Sequence, residues 1–316
     1  MRIVFMGTPD FSCGVLQALI NSRHEVIASV TQPDKAKDRG NKVQYTPVKA
    51  LSLENGITVL QPEKIRGNSD FMAQMRELNP DIIIVVAYGK ILPKELLELP
   101  RLGCVNVHAS LLPRLRGASP IQHAIIEGEE KTGVTIMQMD VGMDTGDMLL
   151  KDEVVIGQMN YEDLHDCLSQ MGSKLIVEAL DKIENGTIKP EKQDDGLATY
   201  CGMISKQDGE IDFNKSARSI ERLIRGFDPW PGAYCSMQNG ENPIQIKLWK
   251  ASVVDSDKKN NDAGKITSVD NKGFIVNCGE GSLYVTEIQV PGKKRVLVKD
   301  YLLGHKVEVG TVLRGK

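Results

Sequence analysis

Five short runs of apolar and β-branched residues recur through the front of the chain: Arg2 to Met6, Val26 to Thr31, Thr58 to Leu60, Ile82 to Val86 and Cys104 to Val107. Between them lie Phe11 to Ile20, Pro47 to Glu54, Asp70 to Leu78 and Pro93 to Leu97, whose apolar residues fall near helical spacing behind Asn, Asp or Pro starts. Strands that alternate with helices bury both faces as a parallel sheet joined by right-handed crossovers. The predicted class is therefore α/β, a doubly wound, mostly parallel sheet. Ligands of such sheets bind beyond the carboxyl ends of the strands.

Further on, Pro120 to Ile126 reads as a helix, Gly133 to Met139 and Met148 to Ile156 as strands, and Tyr161 to Glu184 as a long helix that closes the first domain. A chain of 316 residues exceeds the size of most single domains, so two are expected. The polar, turn-rich stretch after Asn185-Gly186 has linker chemistry. The expected division is 1–189, a linker at 190–205, and 206–316. The last part opens with a helix, Ala217 to Arg225. Short runs follow at Ile244 to Ala251, Gly264 to Val269, Gly273 to Val276 and Ser282 to Gln289, a pattern that suggests a small OB-like β-barrel.

The strongest candidate for chemistry lies at the end of the fifth run. Asn106 and His108 are two residues apart on a strand, so their side chains leave the same face. Three carboxylates, Asp140, Asp144 and Asp147, compete in the sequence to pair with the histidine and fix its tautomer. The first strand ends in Met6-Gly-Thr-Pro-Asp-Phe11 without the G-x-G-x-x-G of dinucleotide sites, which weakens a dehydrogenase reading. No H-x-x-x-H or C-x-x-C pattern supplies a metal, and none is expected. Cys104 cannot serve His108 as a paired nucleophile, because four residues of extended strand span about 13 Å. Ser110 lacks a nucleophile elbow. What remains is a transfer in which the acceptor is itself the nucleophile, while an amide N–H and an imidazole polarise a developing oxyanion.

Two further features concern compartment and partner. The opening residues run straight into a strand, and no apolar stretch reaches membrane-spanning length, so a soluble cytoplasmic protein without a signal peptide is expected. Cysteines 13, 104, 167, 201, 235 and 278 are unpaired in pattern, consistent with reduced thiols in structural roles. The net charge of -3 is uneven: basic residues outnumber acidic ones from Ser205 onward, and the reverse holds before it. Such a split suggests nucleic-acid contact.

Asn106-Val-His108-Ala-Ser-Leu-Leu-Pro113, Arg116-Gly117 and Gly142-Met-Asp144-Thr-Gly146 resemble the signature of enzymes that use 10-formyltetrahydrofolate. Over both domains the chain is similar to the methionyl-tRNA formyltransferase family, through Ile3 to Phe11, Thr31 to Asp34, Val85 to Gly89, Thr132 to Asp140, Asp228-Pro-Trp-Pro231 and Pro291 to Lys294. The resemblance implies a Rossmann-like amino-terminal domain with a carboxy-terminal barrel. Its catalytic triad falls on Asn106, His108 and Asp144. Its tetrahydrofolate segment falls on Ser110, Leu111, Leu112 and Pro113, with Val86, Tyr88 and Gly89 along the same pocket. The implied co-substrate is 10-formyltetrahydrofolate, without a metal, and the implied partner is initiator Met-tRNA, met by a monomer.

In that family the insertion spanning Gln32 to Thr46 meets the acceptor end of the tRNA. Arg39 matches its important arginine, and Lys35, Lys37 and Lys42 would contact phosphates. Some members carry Pro and Gly where this chain has Ala36 and Asp38, and Trp where it has Leu115. In the second domain Arg218, Arg222 and Arg225 stand at helical spacing and Lys293 and Lys294 form a cluster, both expected to hold the acceptor arm. The rival readings change the acceptor to a sugar-nucleotide amine, a glycinamide ribotide or water, or make the chain a non-enzymatic RNA-binding module.

Overall fold

The computed structural model describes residues 1–37, 42–239 and 242–316, with backbone alone for 35–37, 42, 43 and 239. The elements of the front part are β1 (Arg2–Gly7), α1 (Phe11–Ile20), β2 (Glu25–Val30), β3 (Lys35–Lys37), β4 (Lys42–Gln44), α2 (Pro47–Glu54), β5 (Thr58–Leu60), α3 (Ser69–Leu78), β6 (Ile82–Val86), α4 (Lys94–Leu97) and β7 (Cys104–His108). They continue as β8 (Arg116–Gly117), α5 (Pro120–Glu127), β9 (Lys131–Gln138), β10 (Met148–Val155), α6 (Tyr161–Glu184) and β11 (Tyr200–Cys201). Contacts divide the chain into two compact units. One holds Met1–Pro120, Lys131–Val155 and His165–Cys201; the other holds Ile121–Glu130, Ile156–Leu164 and Gly202–Lys316.

In the first unit the main sheet runs β10-β9-β7-β6-β1-β2-β5. The five strands from β7 to β5 are parallel to one another, and β9 and β10 join antiparallel. All five residues of β6, Ile-Ile-Ile-Val-Val, are buried, as expected of a central strand covered on both faces. The chain leaves β1 toward β2 and β5, then returns to its other side for β6 and β7. The reversal opens a crevice between the carboxyl ends of β1 and β6. In register, Asn106 lies beside Val85 on one side and Met137 on the other.

Local chemistry sets the helix limits. Thr46 caps α2 by accepting the N–H of Lys49, with Pro47 in the first turn, and Asn68 caps α3 by accepting that of Phe71. Both follow the preference for small oxygen-bearing caps. From His165 onward α6 lies on the sheet of this unit, and Gly172 permits the close approach. A Cβ there would sit 2.8 Å from Cγ1 of Val107, the residue between Asn106 and His108.

Two expectations need correction. Residues 190–205 were expected to form a linker, yet 191–201 are built into the first unit: Glu191 bridges Met148, and β11 pairs in parallel with β8. Polar, turn-rich composition is equally suited to a segment held by hydrogen bonds to side chains, which is what occurs. Residues 121–130 and 156–164, expected in the first domain, make their contacts within the second unit.

The second unit contains α7 (Ala217–Gly226), β12 (Ala233–Asn239), β13 (Asn242–Lys259), β14 (Ile266–Val269), β15 (Phe274–Asn277), β16 (Glu280–Gln289), β17 (Val296–Leu297), α8 (Val298–Tyr301) and β18 (Leu313–Arg314). Its antiparallel sheet has the order β14-β15-β16-β13-β12-β18. The run expected to end at Ala251 continues to Lys259. Irregularities of register along β13 against β16 allow so long a strand to bend, in the way bulges curl a sheet. The sheet closes on itself: Ile266 N–H donates to Thr311 O (2.8 Å), Gly310 N–H to Ile266 O (2.8 Å) and Leu313 N–H to Gly264 O (2.7 Å). A single apolar core of Ile211, Phe213, Ile220, Ile224, Leu248, Phe274, Leu283 and their neighbours fills it, as the expected barrel requires. Among the described residues of the chain, no helix is long and apolar enough to cross a membrane.

Candidate active site

The end of β7 and the two loops after it converge on His108. The ring is buried, and its Nε2 lies 3.0 Å from the carbonyl oxygen of Leu115. A carbonyl only accepts, so Nε2 carries the proton and the lone pair of the neutral ring sits on Nδ1. Nδ1 faces Oδ2 of Asp144 at 3.8 Å. The tautomer is thus fixed by a backbone carbonyl rather than by a carboxylate, contrary to the sequence expectation. Asp144 instead stands where a proton arriving on Nδ1 would be stabilised.

Asp144 is itself tightly placed. Its Oδ2 accepts the N–H of Gly117 (2.8 Å), and its backbone has a φ of +53°. Gln193 Nε2 donates to the carbonyls of Asp144 (2.8 Å) and Gly146 (2.7 Å). Gly146 admits no side chain, because a Cβ would lie 1.8 Å from Gln138 O. Asp140 turns into its own loop, accepting from Gly142 N–H and the Thr145 hydroxyl. Of the three competing carboxylates, Asp144 is the one that faces the histidine.

Asn106 is half-buried on the same face of β7. Among the described residues no hydrogen bond engages its carboxamide, so its N–H donors are available to a ligand. Cys104 is excluded on a second ground. Burial pushes its thiol up to about 12, and its sulfur lies against the carbonyls of Leu96 and Leu97.

The loop from Ser110 to Gly117 is held from both sides. Thr135, fully buried on β9, donates to Ser110 O (2.7 Å) and accepts Leu112 N–H (3.1 Å). Ser110 donates its hydroxyl to Arg114 O, and Leu112 is buried with Met137 and Met148. The fold therefore consumes the Ser110 and Leu112 side chains. Leu111 and Pro113 remain half-exposed.

Leu115 takes a φ of +56°, which costs a residue with a Cβ about 1–2 kcal/mol. Thr199 accepts its N–H (2.9 Å), and His108 and Cys201 lie on its carbonyl. Arg116, only 1 % exposed, donates to Gln193 Oε1 (3.0 Å), Asp195 Oδ1 (2.8 Å) and the Tyr200 hydroxyl (3.4 Å). Burial alone would lower its pKa, but the Asp195 and Tyr200 bonds outweigh that and raise it. Sequence reasoning passed over Thr135, Gln193, Asp195 and Thr199. Thr135 falls within the matched Thr132 to Asp140 segment but was given no role there; no motif marks the other three, which lie in the stretch read as linker.

Of the other expected site residues, Val86 ends β6, and Tyr88 is buried between exposed Ala87 and Gly89, both at positive φ. Among the described residues the Tyr88 phenol has no hydrogen-bond partner, and burial pushes it up to about 12. Arg39 lies outside the described residues, as do the side chains of Lys35, Lys37 and Lys42, whose backbones form the β3–β4 pair. The root of that hairpin is ordered by Thr31 and Thr46, joined through their hydroxyls at 2.8 Å. It is also held by Lys49, which donates to Asp34 and to Gln61 Oε1.

Burial alone would raise the Asp34 carboxyl, but bonds from Lys49 and Gln61 outweigh it and hold the group below the ordinary carboxylate range. A depressed folded-state pKa contributes stability above the unfolded value of 3.8 that is lost as pH falls through the folded one. Asp34→Asn should therefore melt below the wild type at pH 7, and the two melting curves should converge as the pH drops below that value.

In the second unit Arg218, Lys293 and Lys294 are exposed. Arg225 is not free: it pairs with Glu221 and donates to the carbonyls of Gly157 and Met159. The Arg222 guanidinium lies against Gly128, where a Cβ would meet Nη1 at 2.0 Å. Helical spacing put these arginines on one face, but that face is partly covered by 121–130 and 156–164, so Arg225 is removed from the expected RNA contacts. His24, Asp181 and Glu184 offer ligand atoms within 4.8 Å of one another, but Arg23 already pairs with both carboxylates.

The chain matches the model of the formyl transferase family over residues 1–180 and that of the formyl transferase carboxy-terminal domain over 203–306. It is 50 % identical to the methionyl-tRNA formyltransferase of Geobacter metallireducens, over 98 % of this chain and 97 % of that one. With the enzyme of that name from Caldanaerobacter subterraneus subsp. tengcongensis it shares 47 % identity, over 99 % and 100 %. Among solved structures it resembles WlaRD, a sugar 3N-formyl transferase, with a TM-score of 0.65 at 19 % identity over 93 % of this chain and 99 % of that one. It also resembles HypX from Aquifex aeolicus in complex with tetrahydrofolic acid, with a TM-score of 0.60 at 16 % identity over 98 % of this chain and 50 % of that one. At such identities the structural likeness speaks to fold; the full-length identity speaks to kinship, and by it the chain belongs to the formyltransferase family, among the methionyl-tRNA formyltransferases.

Proposed function

We propose that this enzyme transfers the formyl group of 10-formyltetrahydrofolate to the α-amino group of initiator methionyl-tRNA, acting as a cytoplasmic monomer. The observation that carries the reading is the His108–Asp144 pair beside the Asn106 carboxamide, which none of the described residues engages, at the carboxyl end of β7. The folate would lie along Val86 to Gly89 and against Ser110 to Pro113. The division of labour is a catalytic first domain and an RNA-holding domain of residues 206–316, where Arg218, Lys293 and Lys294 are among the exposed cations.

An α-amine titrates near pH 8, so a useful neutral fraction exists at pH 7. Its nitrogen attacks the formyl carbon, and the carbonyl oxygen becomes an oxyanion facing the Asn106 N–H donors. The amine proton passes to Nδ1 of His108, where Asp144 balances the imidazolium charge. The bond from carbon to N10 then breaks, the proton moves from His108 to N10, and N-formylmethionyl-tRNA and tetrahydrofolate leave.

The test is formyl transfer from 10-formyltetrahydrofolate to charged initiator tRNA, with elongator Met-tRNA and a dTDP-amino sugar as competing acceptors. Formylation confined largely to the initiator is the expected result. Faster transfer to the sugar amine would reject the assigned acceptor while keeping the folate site.

A further inference from the structure

Among the described residues no hydrogen bond runs within the turn from Val86 to Gly89. Ala87, at a φ of +45°, sits in a region that residues with a Cβ visit at a cost. The Tyr88 phenol, buried without a partner among the described residues, adds packing but no hydrogen bond to them. The polar support comes from elsewhere. Ser12 donates its hydroxyl to Val86 O (2.7 Å), and Gln32 Nε2 donates to Tyr88 O (2.9 Å) with the Thr8 hydroxyl beside it (3.4 Å).

Gln32 is in turn anchored. Its own carbonyl accepts Gln61 Nε2 (3.0 Å), and the same nitrogen donates to Asp34 Oδ1 (2.9 Å). Gln61 Oε1 receives Lys49 (2.7 Å), which also holds Asp34. A second tie runs in parallel, from Lys90 Nζ to the carbonyls of Pro62 and Glu63. Unbroken hydrogen bonds thus lead from Asp34 and Lys49, at the root of the β3–β4 hairpin, through Gln61 and Gln32 to the turn at Tyr88.

We infer that Gln32 and Gln61 are positioning residues that join the formyl-donor turn to the hairpin root as one mechanical unit, so that folate and the acceptor end of the tRNA each favour binding of the other. This rests on the folate reading of the turn proposed above and on the contact of the 32–46 insertion with the tRNA acceptor end that the family resemblance implies. Ordering either end shortens the entropy loss still to be met at the other, and the linkage is reciprocal. Gln32→Met keeps the side-chain length and the backbone carbonyl while removing the donor to Tyr88 O. Gln61→Glu keeps the shape but cannot donate, and it sets a second carboxylate beside Asp34.

The experiment measures the Kd of tetrahydrofolate by titration calorimetry, with and without charged initiator tRNA, in the wild type and both variants, alongside steady-state rates and melting temperatures. In the wild type the tRNA should tighten folate binding about fivefold or more. That ratio should fall to about one in Gln32→Met and Gln61→Glu. In Gln32→Met the KM for 10-formyltetrahydrofolate should rise by a larger factor than kcat falls, with the melting temperature near wild type, a split that general loosening would not give. Wild-type enzyme that formylates Met-tRNA but shows no enhancement, or variants that retain it, would overturn the inference. Wild-type enzyme unable to formylate Met-tRNA at all would instead overturn the assignment of function.

Discussion

Asn106→Ala is expected to lower kcat by about 10²- to 10³-fold, the usual consequence of deleting one preorganised oxyanion donor, with the melting temperature almost unmoved. The second half of that expectation follows from the fold. The Asn106 side chain is half-buried and engaged by none of the described residues, so its removal breaks no internal bond. KM for either substrate should change little, because the donor acts on charge that develops only during transfer. His108→Ala should cost at least as much in rate, but it also frees the Leu115 carbonyl and is the less clean probe. Single-turnover formyl transfer measures the effect, and a wild-type rate in Asn106→Ala would remove the residue from the mechanism.

Arg116→Lys should have a large effect of a different kind, in which stability and rate fall together. The guanidinium reaches Gln193, Asp195 and Tyr200 at once from a site that is 1 % exposed. A lysine ammonium keeps the charge but cannot span that fork. Leaving a buried cation short of partners costs roughly 3 kcal/mol. The damage would not stay local, because Gln193 also holds the carbonyls of Asp144 and Gly146. The N–H that fixes the Asp144 carboxylate belongs to Gly117, the next residue along. A lower urea midpoint accompanied by a drop in kcat is the expected result. An unchanged midpoint would show that the clamp is held by β8–β11 pairing alone.

The parallel sheet was legible because its strands are short, apolar and separated by helical patterns, and α6 was placed at its observed ends, Tyr161 and Glu184. The pair of Asn106 and His108 was legible because strand periodicity puts them on one face. The choice among Asp140, Asp144 and Asp147 was legible only through the family resemblance, which fell on Asp144; spacing could not make it, because it depends on a left-handed residue at 144 and on Gln193, which is distant in sequence and carries no motif. The two-residue strands β8 and β11 are invisible to periodicity, since two residues have none. Arg225 was misplaced because spacing assigns a face to a helix but not what covers that face.

The closure of the second unit's sheet, in which residues 264–266 meet residues 310–313, bears on colloidal behaviour. An open six-stranded order would leave β14 and β18 each with a row of unpaired amides and carbonyls, the template on which foreign strands assemble. Joined to each other at 264–266 and 310–313, the two margins present a shorter template, which lowers the tendency of this unit to grow into fibrils by edge pairing.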